Sequence, residues 1–228
     1  MLAMETNIQI AIDGPAGSGK STIAKAIASQ LQLTHIDTGA MYRAVTLEAM
    51  ERGIDLSNPA AYDFLASIQV RFTNNKIYLN EVDVTTKIHR PEVSERVSTV
   101  AAHKVVRDYM VQIQQQAAAE GRIIMDGRDI GTIVLPNAFI KIFLSASVEE
   151  RARRRLTDYH AQGIDMNIQT LIDDINKRDH IDSTRNINPL RKADDAVLFD
   201  TTNTSIEESV TKLIELIRQR GKEHGYQL

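Results

Sequence analysis

The chain has 228 residues, a formal net charge of −3, 43% apolar residues and no cysteine. That length suits one α/β domain of ordinary size with a small insertion, and the lack of cysteine excludes disulfides, thiolate metal sites and a cysteine nucleophile. The slightly acidic balance argues against a general surface for polymeric nucleic acid. The six histidines, at 35, 89, 103, 160, 180 and 224, stand singly without ligand spacing and read as ordinary surface residues. No run of about 18 apolar residues occurs, and the chain enters a strand almost at once, without the basic and apolar regions of a secretory leader. A cytoplasmic protein without a membrane partner is expected, acting as a monomer.

In chain order, Ile8 to Asp13 is an apolar strand, and the eight residues after it decide most of the reading. Gly14-Pro15-Ala16-Gly17-Ser18-Gly19-Lys20-Ser21 matches G-x-x-x-x-G-K-[ST] without a mismatch. Glycines let the backbone take positive φ and turn its N–H groups onto a polyphosphate, Lys20 reaches the β/γ-phosphates, and the Ser21 hydroxyl can ligate Mg²⁺. Thr22 to Leu31 repeats Ile23, Ile27 and Leu31 at helical spacing, so strand, loop and helix come in the order a genuine phosphate loop requires. Residues 14–22 are therefore expected to hold the phosphates of a nucleoside triphosphate.

Further strands are expected at Thr34 to Asp37, Ile123 to Asp126, Ile140 to Leu144 and Ala196 to Asp200, alternating with helical patterns. That alternation predicts an α/β fold with a five-stranded parallel sheet flanked by helices. Ile206, Val210, Leu213, Ile214 and Ile217 mark one face of the last helix, with Ser205 and Glu208 spaced as a capping box. Ile68 to Val84 breaks the alternation, because short β-like runs are separated by turns at Asn74-Asn75 and Asn80-Glu81; a small antiparallel insertion is expected. Pro91 then opens what reads as one long helix, from Glu92 to about Glu120, with Val93, Val97 and Val100 on one face.

Arginines concentrate between Val148 and Arg191. Most of the group at 151 to 155, interleaved with Glu149 and Glu150, reads as a solvated helix face. Arg178 and Arg185 flank a polar stretch, Asp179 to Asn188, that follows a helix marked by Ile168, Leu171, Ile172 and Ile175. A mobile flap carrying arginines suits phosphoryl transfer, since it can close over phosphates and exclude water. Asp126, at a strand end, can stand opposite Ser21 as the acidic partner of hydrated Mg²⁺. Arg43 and Arg128 both follow strand ends, in the crevice where such sheets bind ligands, and two arginines there suit an acceptor phosphate.

The phosphate loop, Asp37-Thr38-Gly39-Ala40-Met41-Tyr42-Arg43, Met125-Asp126-Gly127-Arg128-Asp129-Ile130-Gly131-Thr132, and Pro189 to Ala196 together resemble the bacterial cytidylate kinases, over nearly the whole chain. The resemblance implies an ATP-dependent, Mg²⁺-assisted kinase of CMP or dCMP. It implies one domain over 1–228, with a core at 7–60 and 101–228, an acceptor-binding insertion at about 61–100 and a lid at about 151–191. It also implies that Ser98, Arg107 and Asp129 face the cytosine, Asp182 and Arg178 the sugar, and Arg43, Arg128 and Arg185 the acceptor phosphate, with Thr38 beside them where many relatives carry serine. Lys20, Arg128, Arg178 and Arg185 are the expected catalytic residues.

Two other classes remain to be weighed. Asn176-Lys177-Arg178-Asp179 matches the guanine-reading string of GTPases, but it continues an amphipathic helix instead of ending a buried strand, and no Asp-x-x-Gly accompanies it. A P-loop kinase of another small acceptor would need fewer phosphate-binding arginines, and it leaves the inserted hairpin unexplained.

Overall fold

The computed structural model describes residues 8–228 apart from 74, 120, 162 and 227. In chain order the larger elements are β1 (Gln9–Asp13), α1 (Lys20–Leu31), β2 (Thr34–Asp37), α2 (Thr38–Glu51), β3 (Val70–Thr73), β4 (Lys76–Leu79) and β5 (Val82–Asp83). They continue as α3 (Pro91–Ala101), α4 (Lys104–Ala118), β6 (Ile123–Gly127), β7 (Ile140–Ser145), α5 (Val148–Ala161), α6 (Ile168–Thr184), β8 (Val197–Asp200) and α7 (Ile206–Glu223).

Five strands form one parallel sheet in the order β2-β6-β1-β7-β8. The central strand β1 pairs with β6 on one side and β7 on the other, and helices cover both faces of the sheet, so Ile10 and Ile12 on one face and Ala11 on the other are all fully buried. This is why the middle of the sheet reads as continuous apolar runs instead of alternation. Ile23, Ile27, Leu213, Ile214 and Ile217 of α1 and α7 cover one face. The other face packs on α2 and α4 and runs on into the small sheet and α3. The chain's register brings Asp13, Asp37 and Gly127 to the same carboxyl edge, which is where a ligand crevice opens in such sheets.

The antiparallel insertion is present as β3-β4-β5. Its second turn is the one expected, with Asn80 and Glu81 both at positive φ, 48° and 65°, the conformation of a two-residue hairpin matched to strand twist. Asn74, half of the first expected turn, and Glu120, the expected helix end, lie outside the described residues. In α7, Ser205 Oγ accepts from the Glu208 N–H as a cap at 3.1 Å. The Glu208 carboxylate, however, pairs with Lys212 at 2.6 Å and not with the cap residue.

The single helix expected after Pro91 is in fact two. Ala102 and His103 interrupt it, with His103 in an extended conformation. The break has side-chain causes: His103 Nε2 donates to the Leu56 carbonyl at 2.8 Å, its ring packs on Tyr62, and its own carbonyl accepts the Arg107 N–H that opens α4. The consequence is functional. Ser98 and Arg107 are nine residues apart, about two and a half turns, and on a straight helix they would face opposite ways.

Candidate active site

The loop after β1 is shaped by what glycine permits. Gly14, Gly17 and Gly19 all take positive φ, and a side chain on Gly14 would stand 2.1 Å from the Leu144 carbonyl oxygen, so the loop can lie against β7 only with hydrogen there. The next helix, α1, begins at Lys20. Its Nζ donates to the Pro15 carbonyl at 2.7 Å and to Ser18 Oγ at 3.4 Å. Burial, with Arg128 nearby, holds the Lys20 amine well below an ordinary lysine.

Ser21 Oγ donates to Asp126 Oδ2 at 2.7 Å, uniting the end of β6 with the first turn of α1. The other oxygen of Asp126 is 2.7 Å from His35 Nε2. Burial alone would depress the His35 pKa, but the hydrogen bond to Asp126 raises it. A hydroxyl and a carboxylate beside the phosphate loop are hard oxygen donors, the set that suits Mg²⁺ when phosphates and water complete its shell. His35 is thus no ordinary surface residue: its side chain is only 7% exposed. It sits one residue before the buried Ile36 of β2, and a lone histidine in a four-residue strand carries no signal for the partner that the neighbouring strand brings to it.

Opposite the loop is a cleft lined by Thr38, Arg43, Ser98, Arg107, Arg128, Asp129, Arg178, Asp182 and Arg185, together with Ala16, Gly17, Lys20 and Ser21. All nine residues expected on the acceptor side are therefore in one place. They come from α2, α3, α4, the turn after β6, and α6 with the residue that follows it. Among the residues expected at the phosphates, Gly14, Pro15, Ser18, Gly19 and Thr22 lie outside this cleft lining; Thr22 lines a neighbouring cavity beside His35.

Two carboxylates organise the cations. Asp182 accepts from Arg128 Nε at 2.9 Å and from Ser98 Oγ at 3.1 Å, and the Arg185 guanidinium is 3.9 Å away. Asp129 is paired with Arg107, both buried, and lies 3.7 Å from Arg185. Burial opposes the charge on Asp182, yet Arg128, Arg178 and Arg185 together hold its carboxyl below the usual range. Arg178 is in the reverse position: burial, and then Arg128, bring its pKa down to about 9. Its Nε is buried with no hydrogen-bond partner among the described residues. Such a guanidinium is electrostatically poised for an anion.

The polar stretch from Asp179 to Asn188 was expected as a mobile flap that follows the helix and has little to bury. Instead α6 continues to Thr184, where Ser183 and Thr184 hydroxyls donate back to the Asp179 and His180 carbonyls, and the chain leaves the helix only at Arg185. The reason is that this end of α6 buries charge in place of hydrocarbon, with Asp182 3% and Arg185 9% exposed. The arginine group before it also departs from expectation, most of all at Arg151, with Arg154 and Arg155 half-buried. Arg153 is solvated, but Arg151 is buried and bonded on three sides.

Two residues in the site had no role assigned from sequence. Asp13, fully buried at the end of β1, accepts from the Ile130 and Gly131 N–H groups at 2.8 and 2.7 Å, tying the start of the phosphate loop to the turn that carries Arg128 and Asp129. Burial pushes its carboxyl up to about 7 against the pull of those bonds. Tyr42 lines the cleft with the Arg107 guanidinium over its ring, 5.3 Å from the centroid.

The cytidylate kinase family matches residues 10–219 of the chain. The chain belongs to this family. A cytidylate kinase of Acholeplasma laidlawii is 50% identical over 210 residues, covering 92% of this chain and 95% of that protein. The cytidylate kinase of Bacillus subtilis is 47% identical over 224 residues, covering 96% and 100%. Among solved structures, an uncharacterised protein of Eubacterium ventriosum superposes with a TM-score of 0.55 at 15% identity, over 93% of this chain and 99% of that one. That last likeness is one of fold. The cytidylate kinase match, by contrast, spans both the phosphate loop and every residue of the acceptor cleft named above. No helix among the described residues is long and apolar enough to cross a membrane.

Proposed function

We propose that the chain transfers the γ-phosphoryl group of ATP to CMP or dCMP, giving ADP and CDP or dCDP. The observation that carries the reading is the cleft itself: four arginines, Arg43, Arg128, Arg178 and Arg185, line it together with Lys20 of the phosphate loop. Membership of the cytidylate kinase family supports the choice of acceptor.

In this reading residues 14–22 hold the donor phosphates, with Lys20 on the β/γ oxygens. Ser21 and Asp126 would hold Mg²⁺, which when bound supplies charge neutralisation between the phosphates. Arg43, Arg128 and Arg185 align the acceptor phosphate, and Arg178 meets the transferring group. Asp182 with Arg178 takes the sugar, while Ser98, Arg107 and Asp129 read the base edge, with the Thr38 hydroxyl, which donates to the Asp126 carbonyl at 2.7 Å, bracing the floor.

No general base is required. The second pKa of a nucleoside monophosphate is about 6, so near neutral pH the attacking oxygen already belongs to a dianion. The protein's task reduces to alignment and charge neutralisation. The elements divide accordingly into a core at 7–60 and 101–228, an acceptor-binding insertion at about 61–100 and a lid at about 151–191.

Phosphorus NMR of the purified chain with ATP, Mg²⁺ and CMP tests this. Resonances of ADP and CDP should grow together, and should stay absent when CMP is omitted. Release of inorganic phosphate in place of CDP would mean hydrolysis and would overturn the proposal.

A further inference from the structure

One buried guanidinium joins the donor loop to the helix that carries the acceptor-side charges. Arg151 of α5 donates from Nε to the Ala146 carbonyl at 3.1 Å, and from Nη1 to the Ala16 carbonyl of the phosphate loop at 3.1 Å. Its Nη2 pairs with Asp179 at 2.6 Å. The loop lies directly on this side chain, since a Cβ on Gly17 would stand 3.1 Å from that of Arg151. Asp179 follows Arg178 immediately and precedes Asp182 by three positions on α6, so whatever fixes Asp179 fixes the position of both.

A guanidinium at 3% exposure that lost Asp179 would stand as an uncompensated buried charge, and one that lost the Ala16 carbonyl would keep a buried donor unsatisfied, so the arrangement that keeps both ends is favoured. Its planar fork also transmits orientation, which a flexible ammonium would not. A second tie keeps α5 itself against the loop: Arg154 Nη2 donates to the Thr201 carbonyl at 2.7 Å, and Thr201 Oγ1 to the Ser18 carbonyl at 3.1 Å. Loss of Asp179 would therefore release only the α6 arm.

We propose that Arg151, acting through Asp179, is a positioning residue that couples the phosphate loop to α6, so that a nucleoside triphosphate on the loop and a nucleoside monophosphate in the cleft tighten each other's binding. The proposal rests on the functional reading above. A ligand that orders the loop lowers the cost of ordering α6 for the second ligand, and the same linkage runs in reverse.

Calorimetry on the full chain measures the dissociation constant of CMP alone and with a saturating non-hydrolysable ATP analogue and Mg²⁺. In the wild type the analogue should tighten CMP binding by about fivefold or more, the lower edge of ordinary coupling between sites. Asp179→Asn, isosteric and at a partly exposed position, should bind CMP alone within about twofold of wild type while the ratio falls towards one. Asp179→Glu, which keeps the charge, should restore part of it. A wild type without coupling, an Asp179→Asn protein that keeps the full ratio, or one that loses CMP affinity equally with and without the analogue would overturn the proposal. Failure of the wild type to bind CMP at all would count instead against the functional reading.

Discussion

The two halves of the site are built by opposite means. In the proposed reading the donor half is a single stretch of eight residues whose backbone would do most of the binding, and its shape follows from glycine geometry and from a helix that starts at Lys20. The acceptor half has no continuous stretch at all. Its side chains come from α2, α3, α4, α6 and the turn after β6, and its shape follows from buried ion pairs between arginines and two aspartates. A backbone site is robust to its neighbours but reads only phosphate. A side-chain site can distinguish bases, at the risk that one lost carboxylate leaves several buried cations unbalanced.

The sharpest way to break this division is at Lys20, the one charged side chain the donor loop contributes to the cleft. Lys20→Ala should abolish transfer while CMP binding stays near wild type, measured by turnover and by calorimetry on the same protein. Equal loss of both would show that the halves are not separate. The next largest effect is expected on the acceptor side. Arg185→Ala should lower turnover by about 10³-fold or more, the scale for arginines that neutralise charge in phosphoryl transfer, because the acceptor phosphate would lose its alignment. A kcat within about tenfold of wild type, far short of that scale, would remove Arg185 from the phosphate.

Base choice sharpens the comparison further. Cytosine offers an N4 amino donor where uracil has an acceptor, so a carboxylate there favours cytosine, by about 1–3 kcal/mol per well-matched contact. Arg107 engages one oxygen of Asp129, leaving lone pairs for the base. CMP should therefore exceed UMP in kcat/KM by at least about tenfold, and Asp129→Asn should lose much of that margin, because the amide can turn a donor towards O4. An unchanged ratio would assign Asp129 to holding Arg107 alone.

The smallest effect is expected where the halves are joined, at Asp13. Its pKa is raised to about 7 by burial, whereas an unfolded aspartate titrates near 3.9. The folded protein thus holds a proton that the unfolded chain releases, and the stability this contributes is complete below about pH 4 and lost as pH rises towards 7. Melting profiles of wild type and Asp13→Asn should accordingly approach or cross between those limits, with wild type losing ground as pH rises. Parallel profiles would mean that Asp13 titrates normally.

This contrast also explains what could be read from the chain. The sheet was legible because β1, β6 and β7 are apolar runs of strand length, and the donor loop because its chemistry is contiguous. On the acceptor side Arg43 and Arg128 could be placed from their strand ends and Arg178 and Arg185 from the polar stretch, whereas Ser98, Arg107 and Asp182 were recognisable only through resemblance to a family, since they carry no local pattern of their own. The interruption at His103 was not legible, because it depends on a carbonyl 47 positions earlier in the chain. Likewise the end of α6 resembled a loop because its buried face is charged, and apolar periodicity cannot register a helix that packs on arginines. Arg151 and His35 were misjudged for the same reason: their partners, Ala16 and Asp126, are distant in sequence.

The most direct test of the whole account is a coupled ADP-release assay with ATP and Mg²⁺ across CMP, dCMP, UMP, AMP, GMP and one non-nucleotide acceptor such as shikimate. Release should be efficient with CMP and dCMP, weak with UMP and slight with the others. Comparable rates across the nucleotides, or activity on the non-nucleotide acceptor alone, would contradict it.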